Sequence, residues 1–287
     1  MPEAESDAVP EGRVSRIRED APRAHSPSTK AQPALLTIAF AAVFVLAAYT
    51  HVYALAASVL IAQLVLASAP GPVATRAPAI SRFVPIALGG LVATALTARP
   101  SLLAGAEGTE TGSVGAVDTG VLVGVAPGIA VVVLVALVSQ MLRRDDRDGL
   151  VESLAQTVSV GVIVTFLTGW VAALQSVNGV PVVALAVVAV VTTTLLMKVP
   201  GPEALIGALA GVVSGAVSAG ATVIVDDTIP YAFAVALGVS VSVFLVLGRA
   251  IAGVWGSDPR RRVGVDAMLP LALVGPVVFL AGQVSML

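Results

Sequence analysis

Long apolar runs separated by short polar or proline- and glycine-rich segments dominate the chain after residue 33. Most runs hold ~16–24 residues, close to the ~20 residues that an α-helix needs to cross a bilayer core. Because the runs are continuous rather than alternating, a β-barrel is excluded. We predict an all-α polytopic membrane protein with nine transmembrane helices: Ala34–Tyr49, Val52–Ser68, Phe83–Ala98, Thr119–Leu142, Ser153–Leu174, Val180–Met197, Glu203–Val225, Tyr231–Ile251 and Ala267–Ser285.

The first apolar run, Ala34–Ala69, is too long for one span. As a single helix it would reach ~54 Å at 1.5 Å per residue, well beyond the bilayer core. Tyr49, His51 and Tyr53 lie near its middle, and aromatic residues are enriched at membrane–water interfaces. The run is therefore predicted to form two short helices joined by an interfacial turn.

Two regions of different character divide the chain. Residues 1–33 are polar, mixed in charge and rich in proline, so they cannot bury enough apolar surface to fold alone. We predict a disordered cytoplasmic tail for residues 1–33 and a single transmembrane helical domain for residues 34–287.

The distribution of basic residues predicts the orientation in the membrane. Cytoplasmic loops carry an excess of Lys and Arg. With the N-terminus inside, only Arg99 of the 16 Lys and Arg residues falls in an outer segment. The N-terminus is therefore predicted to be cytoplasmic and the C-terminus outside.

Composition narrows the chemistry. The chain is 57% hydrophobic and only 12% charged, whereas a soluble domain has about a quarter of its residues charged. It contains no cysteine, which excludes disulfides, thiolate metal sites and cysteine nucleophiles. His25 and His51 are far apart in sequence and form no ligand cluster. The net charge of −2 argues against a nucleic-acid partner.

A glycine stripe marks the helix Glu203–Val225, in which Gly207, Gly211 and Gly215 recur at every fourth residue. Four residues advance a helix by about 400°, so these glycines form one slowly drifting stripe. Small residues at such spacing let helices approach closely in lipid. The stripe predicts a central packing helix, in which replacing Gly211 with leucine would push the neighbouring helices apart.

Four charged residues beside or within the apolar runs are candidates for a site: Lys198, Glu203, Arg249 and Asp266. The predicted topology places all four on the cytoplasmic side. Charges close to the bilayer are costly and are often functional. We predict an ion-pair cluster or a lipid-phosphate site, with Arg249 paired to a carboxylate or an anionic headgroup.

Two short patches and the order of the spans are similar to the phosphatidate cytidylyltransferase (CDP-diacylglycerol synthase) family, particularly to its actinobacterial members. Entering the seventh span, Pro202-Glu203-Ala204-Leu205-Ile206-Gly207 resembles part of the family's Ser-Pro-Lys-Lys-Ser-Trp-Glu-Gly-Phe-x-Gly. Asp266-Ala267-Met268-Leu269-Pro270 resembles the end of its Gly-Gly-x-x-Asp-Arg-x-Asp-Ser-x-x-Pro. The resemblance implies cytoplasmic lysines that neutralise phosphates and aspartates that hold Mg²⁺.

This chain departs from the family at the positions that would carry catalysis. The loop after the sixth span keeps one lysine, Lys198, and Gly248-Arg249 stands where the family has Gly-Asp. Val263-Gly264 replaces Asp-Arg, and Thr192 to Thr194 occupy the region of a family aspartate. Since metal ions and cations provide most of phosphoryl-transfer catalysis, these changes favour a non-catalytic relative.

The sequence thus predicts a lipid-binding or membrane-partner protein of the bacterial plasma membrane, without a catalytic residue, metal or other cofactor. Its expected partners are membrane lipids, with a second copy of the chain or another membrane protein as alternatives. Two other functions stay open. One is an active cytidylyltransferase that makes CDP-diacylglycerol from CTP and phosphatidic acid with Mg²⁺, and the other is a small-molecule transporter.

Overall fold

A computed structural model of this protein describes residues 28–69, 79–99, 124–142, 149–255 and 259–285. The regular structure of these residues is helical. Within these ranges there is no β-strand. The chain divides into Met1–Ala31 and Gln32–Leu287. The helices are α1 (Ser28–Thr50), α2 (Val52–Ala67), α3 (Ala79–Ala98), α4 (Val125–Met141), α5 (Leu150–Phe166), α6 (Thr168–Leu174), α7 (Gly179–Leu196), α8 (Glu203–Val225), α9 (Tyr231–Val254) and α10 (Pro259–Val284).

The protein is an all-α, multi-pass membrane protein. In the part of the chain that the structure describes, seven helical segments are long and apolar enough to cross a membrane, with α5 and α6 counted as one. The two other apolar helices, α2 and α4, have 16 and 17 residues. At 1.5 Å per residue they are ~24–26 Å long, shorter than a bilayer core of ~30 Å. That nine helices cross the membrane stays a prediction.

Most of the predicted tail, residues 1–27, lies outside the described residues, and α1 begins at Ser28.

The predicted turn at the first hairpin is confirmed. Helix α1 ends at Thr50 and α2 begins at Val52, with His51 between them in an extended conformation. The Tyr53 backbone N–H donates to His51 Nδ1 at 3.3 Å, so the imidazole caps the first turn of α2. His51 thus has a structural role at the turn.

The predicted span Ser153–Leu174 is broken at Leu167 into α5 and α6. The hydroxyls of Thr165 and Thr168 donate to the carbonyls of Val162 and Thr165, three residues earlier, at 2.7 and 2.6 Å. Side-chain bonds of this kind compete with the helical backbone ladder and often bend it. These two bonds flank the break, which the apolar pattern does not predict.

Helices α6, α7 and α10 lie at the centre of the bundle. Trp170 of α6 is fully buried: its ring centre is 5.4 Å from that of Phe44, and its indole N–H donates to the Leu271 carbonyl at 3.1 Å. The prediction that α8 is central is wrong, because 33% of its span is buried against 67% of α5–α6. Helix α8 packs against α7 and α9 at the periphery.

Hydrogen bonds between helix ends show which ends of the helices lie together. At one end, Thr37 donates to the Ala267 carbonyl at 3.2 Å, and the Gln140 amide donates to the Ser153 hydroxyl at 3.1 Å. At the other end, Gln175 donates to the Thr97 carbonyl at 2.6 Å and Asn178 donates to the Ser285 carbonyl at 3.1 Å. The starts of α1, α8 and α10 and the ends of α7 and α9 therefore share the first end, which we call the charged end.

Candidate functional site

A close contact between α9 and α10 positions Arg249 and Asp266. A Cβ added to Gly248 would lie 2.5 Å from the Pro270 Cα, so only glycine permits this approach. Arg249 is the next residue of α9, and Asp266 lies one turn before Pro270 in α10. Both are half-buried, and the Asp266 carboxylate interacts electrostatically with the Arg249 guanidinium. The helix contact thus brings a cation and an anion together at the charged end.

Lys198 lies in the turn after α7 and contributes a second cation. Partial burial lowers the pKa of its amine from the ordinary value, and the positive charge of Arg249 lowers the pKa further. The two positive charges therefore repel each other. An anion bound between them would relieve this repulsion.

Glu203 lies exposed in the first turn of α8. A carboxylate at that position complements the positive end of the helix dipole, which is a structural role. The charge interaction of Arg249 is with Asp266. The structure therefore brings together Lys198, Arg249 and Asp266 of the four predicted residues and leaves Glu203 on the surface.

The carboxylates do not assemble a metal-binding group. Within the described ranges, no three His, Cys, Asp or Glu side chains come together in an arrangement that could hold a metal ion. Two-metal phosphoryl transfer needs several carboxylate ligands around the ions. The absence of a metal site at the charged end stays a prediction.

The three glycines of the stripe differ in their surroundings. A Cβ added at Gly215 would lie 3.0 Å from Val239 and 3.2 Å from the Val235 carbonyl, so α9 packs tightly there. At Gly207 the nearest atom, on Val246, would be 3.6 Å away, which is ordinary contact. At Gly211 no atom lies within 4 Å. Within the stripe, the tight approach of α8 to α9 is therefore made at Gly215, and the effect of Gly211→Leu stays a prediction.

Buried hydroxyls on α7 and α8 lie near this site, and the sequence analysis did not identify them as a group. Thr193 Oγ1 donates to Ser214 Oγ at 3.3 Å, and Ser214 Oγ donates to the Ala189 carbonyl at 3.1 Å. Ser214, Ser218 and Thr222 recur every fourth residue, as the glycines do. That second stripe, beside the first, is the sequence signal for a polar interface between α8 and its neighbours.

Comparisons of this chain with protein-family models, with curated proteins and with solved structures gave no match.

Proposed function

We propose that this membrane protein binds the phosphate of an anionic lipid headgroup at the charged end, through Lys198 and Arg249. The observation that carries the proposal is that, among the described residues, Arg249 is acted on by the charge of Asp266 and itself acts on Lys198, where three helix ends meet. The positive charges of Lys198 and Arg249 act on one another at this end of the bundle. A lipid phosphate at the membrane surface supplies the complementary negative charge.

The three side chains suit different parts of this task. A guanidinium offers paired N–H donors in a plane, which match two phosphate oxygens. Asp266 orients the guanidinium and keeps its charge stable close to the bilayer. Lys198, in the turn after α7, adds a point charge. Arg249 thus determines the geometry, and Lys198 strengthens the attraction.

The scaffold resembles phosphatidate cytidylyltransferases in the order of its spans, and we propose that it is a non-catalytic relative. Among the described residues, the carboxylate whose charge acts on Arg249 is that of Asp266. Binding a lipid phosphate requires only cations and donors, whereas transferring a nucleotide requires metal ions as well. Lipid recognition without turnover is therefore the function that this geometry supports.

Phosphatidic acid in lipid nanodiscs is the ligand with which to test the proposal. We expect Arg249→Gln to weaken its binding about tenfold, since a hydrogen bond to a charged group contributes ~1.5–3 kcal/mol. Lys198→Gln should weaken it less. Arg99→Gln, at the opposite end of the bundle, is the matched control and should leave the affinity unchanged. Equal binding by the Arg249 and Arg99 variants would refute the site.

Turnover by the purified protein separates this function from the alternative enzyme. With CTP, phosphatidic acid and Mg²⁺, we expect no CDP-diacylglycerol above the background of a protein-free reaction. Formation of that product at a rate proportional to protein concentration would show an active cytidylyltransferase, and the non-catalytic assignment would then be abandoned.

The nine-span topology, with the charged end in the cytoplasm of a bacterial cell, belongs to the same proposal. It is supported by the concentration of basic residues in the segments predicted to be inside. A reporter fused after Leu287 is expected outside the cytoplasm, and one fused after Arg147 is expected inside. Finding both reporters on one side would refute the number of spans.

A further inference from the structure

Helix α2 connects the two ends of the bundle although it is short. It begins at the end opposite the charged end, because α1 runs from the charged end to the turn at His51. Near the other end of α2, Val65 lies beside α10, since a Cβ added to Gly264 would be 3.3 Å from the Val65 Cγ1. Gly264 is in the same turn of α10 as Asp266, so α2 reaches the charged end. Its 16 residues, ~24 Å long, therefore connect the two ends by themselves.

Helix α3 packs against α2, and its charges bound an apolar segment of similar length. The Thr94 hydroxyl of α3 donates to Gln63 Oε1 of α2 at 3.1 Å. Arg82 in the first turns of α3 and Arg99 directly after it are ~26 Å apart along the helix axis. A long arginine side chain can extend toward water from within the apolar layer, but the Nε of Arg82 is buried by protein. The two arginines thus mark a short apolar segment on α3 as well.

Both helices expose large apolar side chains. Ile61 of α2 is 56% exposed and Leu88 of α3 is 40% exposed, and Leu64 and Leu91 are exposed one turn further along the two helices. In a membrane protein such side chains contact acyl chains. We call the outward surface of α2 and α3 the short face, because the helices that form it carry apolar segments of only ~24–26 Å.

A bilayer core of ordinary thickness, ~30 Å, does not match the short face. Tilting a helix shortens its span, so tilt increases the mismatch here. On α8 the charges of Glu203 and Asp226 are ~34 Å apart along the axis, and tilt can accommodate that excess. Irregular backbone exposed to lipid does not occur within the hydrocarbon, so the turns that flank α2 cannot fill the difference. The lipid beside the short face must therefore adjust.

We infer that the short face binds a locally thinned bilayer and prefers lipids with short acyl chains beside α2 and α3. The partner is lipid hydrocarbon rather than a second copy of the chain, because apolar side chains gain no hydrophobic free energy by exchanging acyl chains for another protein. This inference goes beyond the proposed function. It rests on helix lengths and exposed side chains and does not depend on the phosphate site at Lys198 and Arg249.

Quenching of tryptophan fluorescence by brominated lipids tests which chains lie beside the short face. The full chain with Ile61→Trp would be placed in vesicles of dimyristoleoyl- and dioleoyl-phosphatidylcholine in equal amounts, with one or the other lipid brominated. We expect the short-chain lipid to quench about twofold more strongly. Val212→Trp on α8 is the matched control, since Val212 is also exposed within a helix, and it should show no preference for the short chain. The signal of the buried native tryptophans is subtracted with the parent protein.

Leu88→Trp provides a second reporter, on α3, and should show the same preference as Ile61→Trp. Equal quenching by the two lipids at both positions, or stronger quenching by the long-chain lipid, would overturn the inference. Quenching by neither lipid at Ile61 and Leu88, with Val212→Trp quenched by both, would show that protein covers the short face and would overturn the choice of lipid as partner. Both lipids are zwitterionic, so none of these outcomes bears on the binding of anionic phosphate.

Discussion

Replacing Gly275 with leucine is expected to lower the free energy of unfolding by about 3 kcal/mol, at the upper end of the range for overpacked cores. A Cβ at Gly275 would collide with the Phe166 carbonyl oxygen, where α10 crosses the break between α5 and α6. Gly169 of α6 meets the Gly275 carbonyl at the same crossing. Because the obstructing atoms are backbone, no change of rotamer relieves the clash, and the central helices must separate.

Gly211→Ala is the matched control for this prediction. It also adds a Cβ to a glycine within a membrane helix, but at a position where no atom lies within 4 Å. Its stability should equal or slightly exceed that of the parent, since alanine is favoured over glycine in helices by up to ~1 kcal/mol. Both variants would be measured by denaturant unfolding in the same detergent micelles. If Gly275→Leu were as stable as Gly211→Ala, α10 would not cross α6 at this contact.

Trp170→Ala is expected to cost about 3–5 kcal/mol, the usual range for emptying a fully buried aromatic site. The lipid provides no compensation, because Trp170 is enclosed by protein and contacts Phe44 on α1 and the Leu271 carbonyl on α10. Its loss leaves a cavity where three helices meet, together with a carbonyl that has lost a donor. We expect a clearly lower denaturation midpoint in micelles.

Two further variants test how much of the loss at Trp170 comes from its hydrogen bond and how much from its buried volume. Trp170→Phe keeps most of the volume and removes the indole N–H, so it should cost only about 1 kcal/mol from the lost hydrogen bond plus a small packing term. Leu46→Ala removes a large apolar side chain that is 67% exposed and should change stability little. A loss at Trp170→Ala no larger than that at Leu46→Ala would contradict the central position of α6.

The spans themselves could be predicted from the order of apolar and polar residues. Predicted and observed helices agree to within one residue at each end of α2, α7 and α8. The reason is that a backbone in lipid must satisfy its own hydrogen bonds, so a long apolar run has essentially one conformation available. Part of the candidate site could be proposed from the sequence as well. Few charged residues lie beside the apolar runs, and because successive spans run in opposite directions, each of these residues is assigned to one end of the bundle.

Only the tertiary structure shows which helix is central and which glycine of α8 contacts α9. Along α8 the glycines are equivalent in spacing, yet Gly215 meets α9 and Gly211 faces open space, because the neighbouring side chains come from other helices. In the same way, the contact of α9 with α10 at Gly248 and Pro270 brings the charge of Asp266 close enough to act on Arg249. The hydrophobicity of each segment by itself determines whether that segment inserts into the membrane. Packing between helices in lipid depends on complementary shape and polar partners, which residues far apart in sequence supply together.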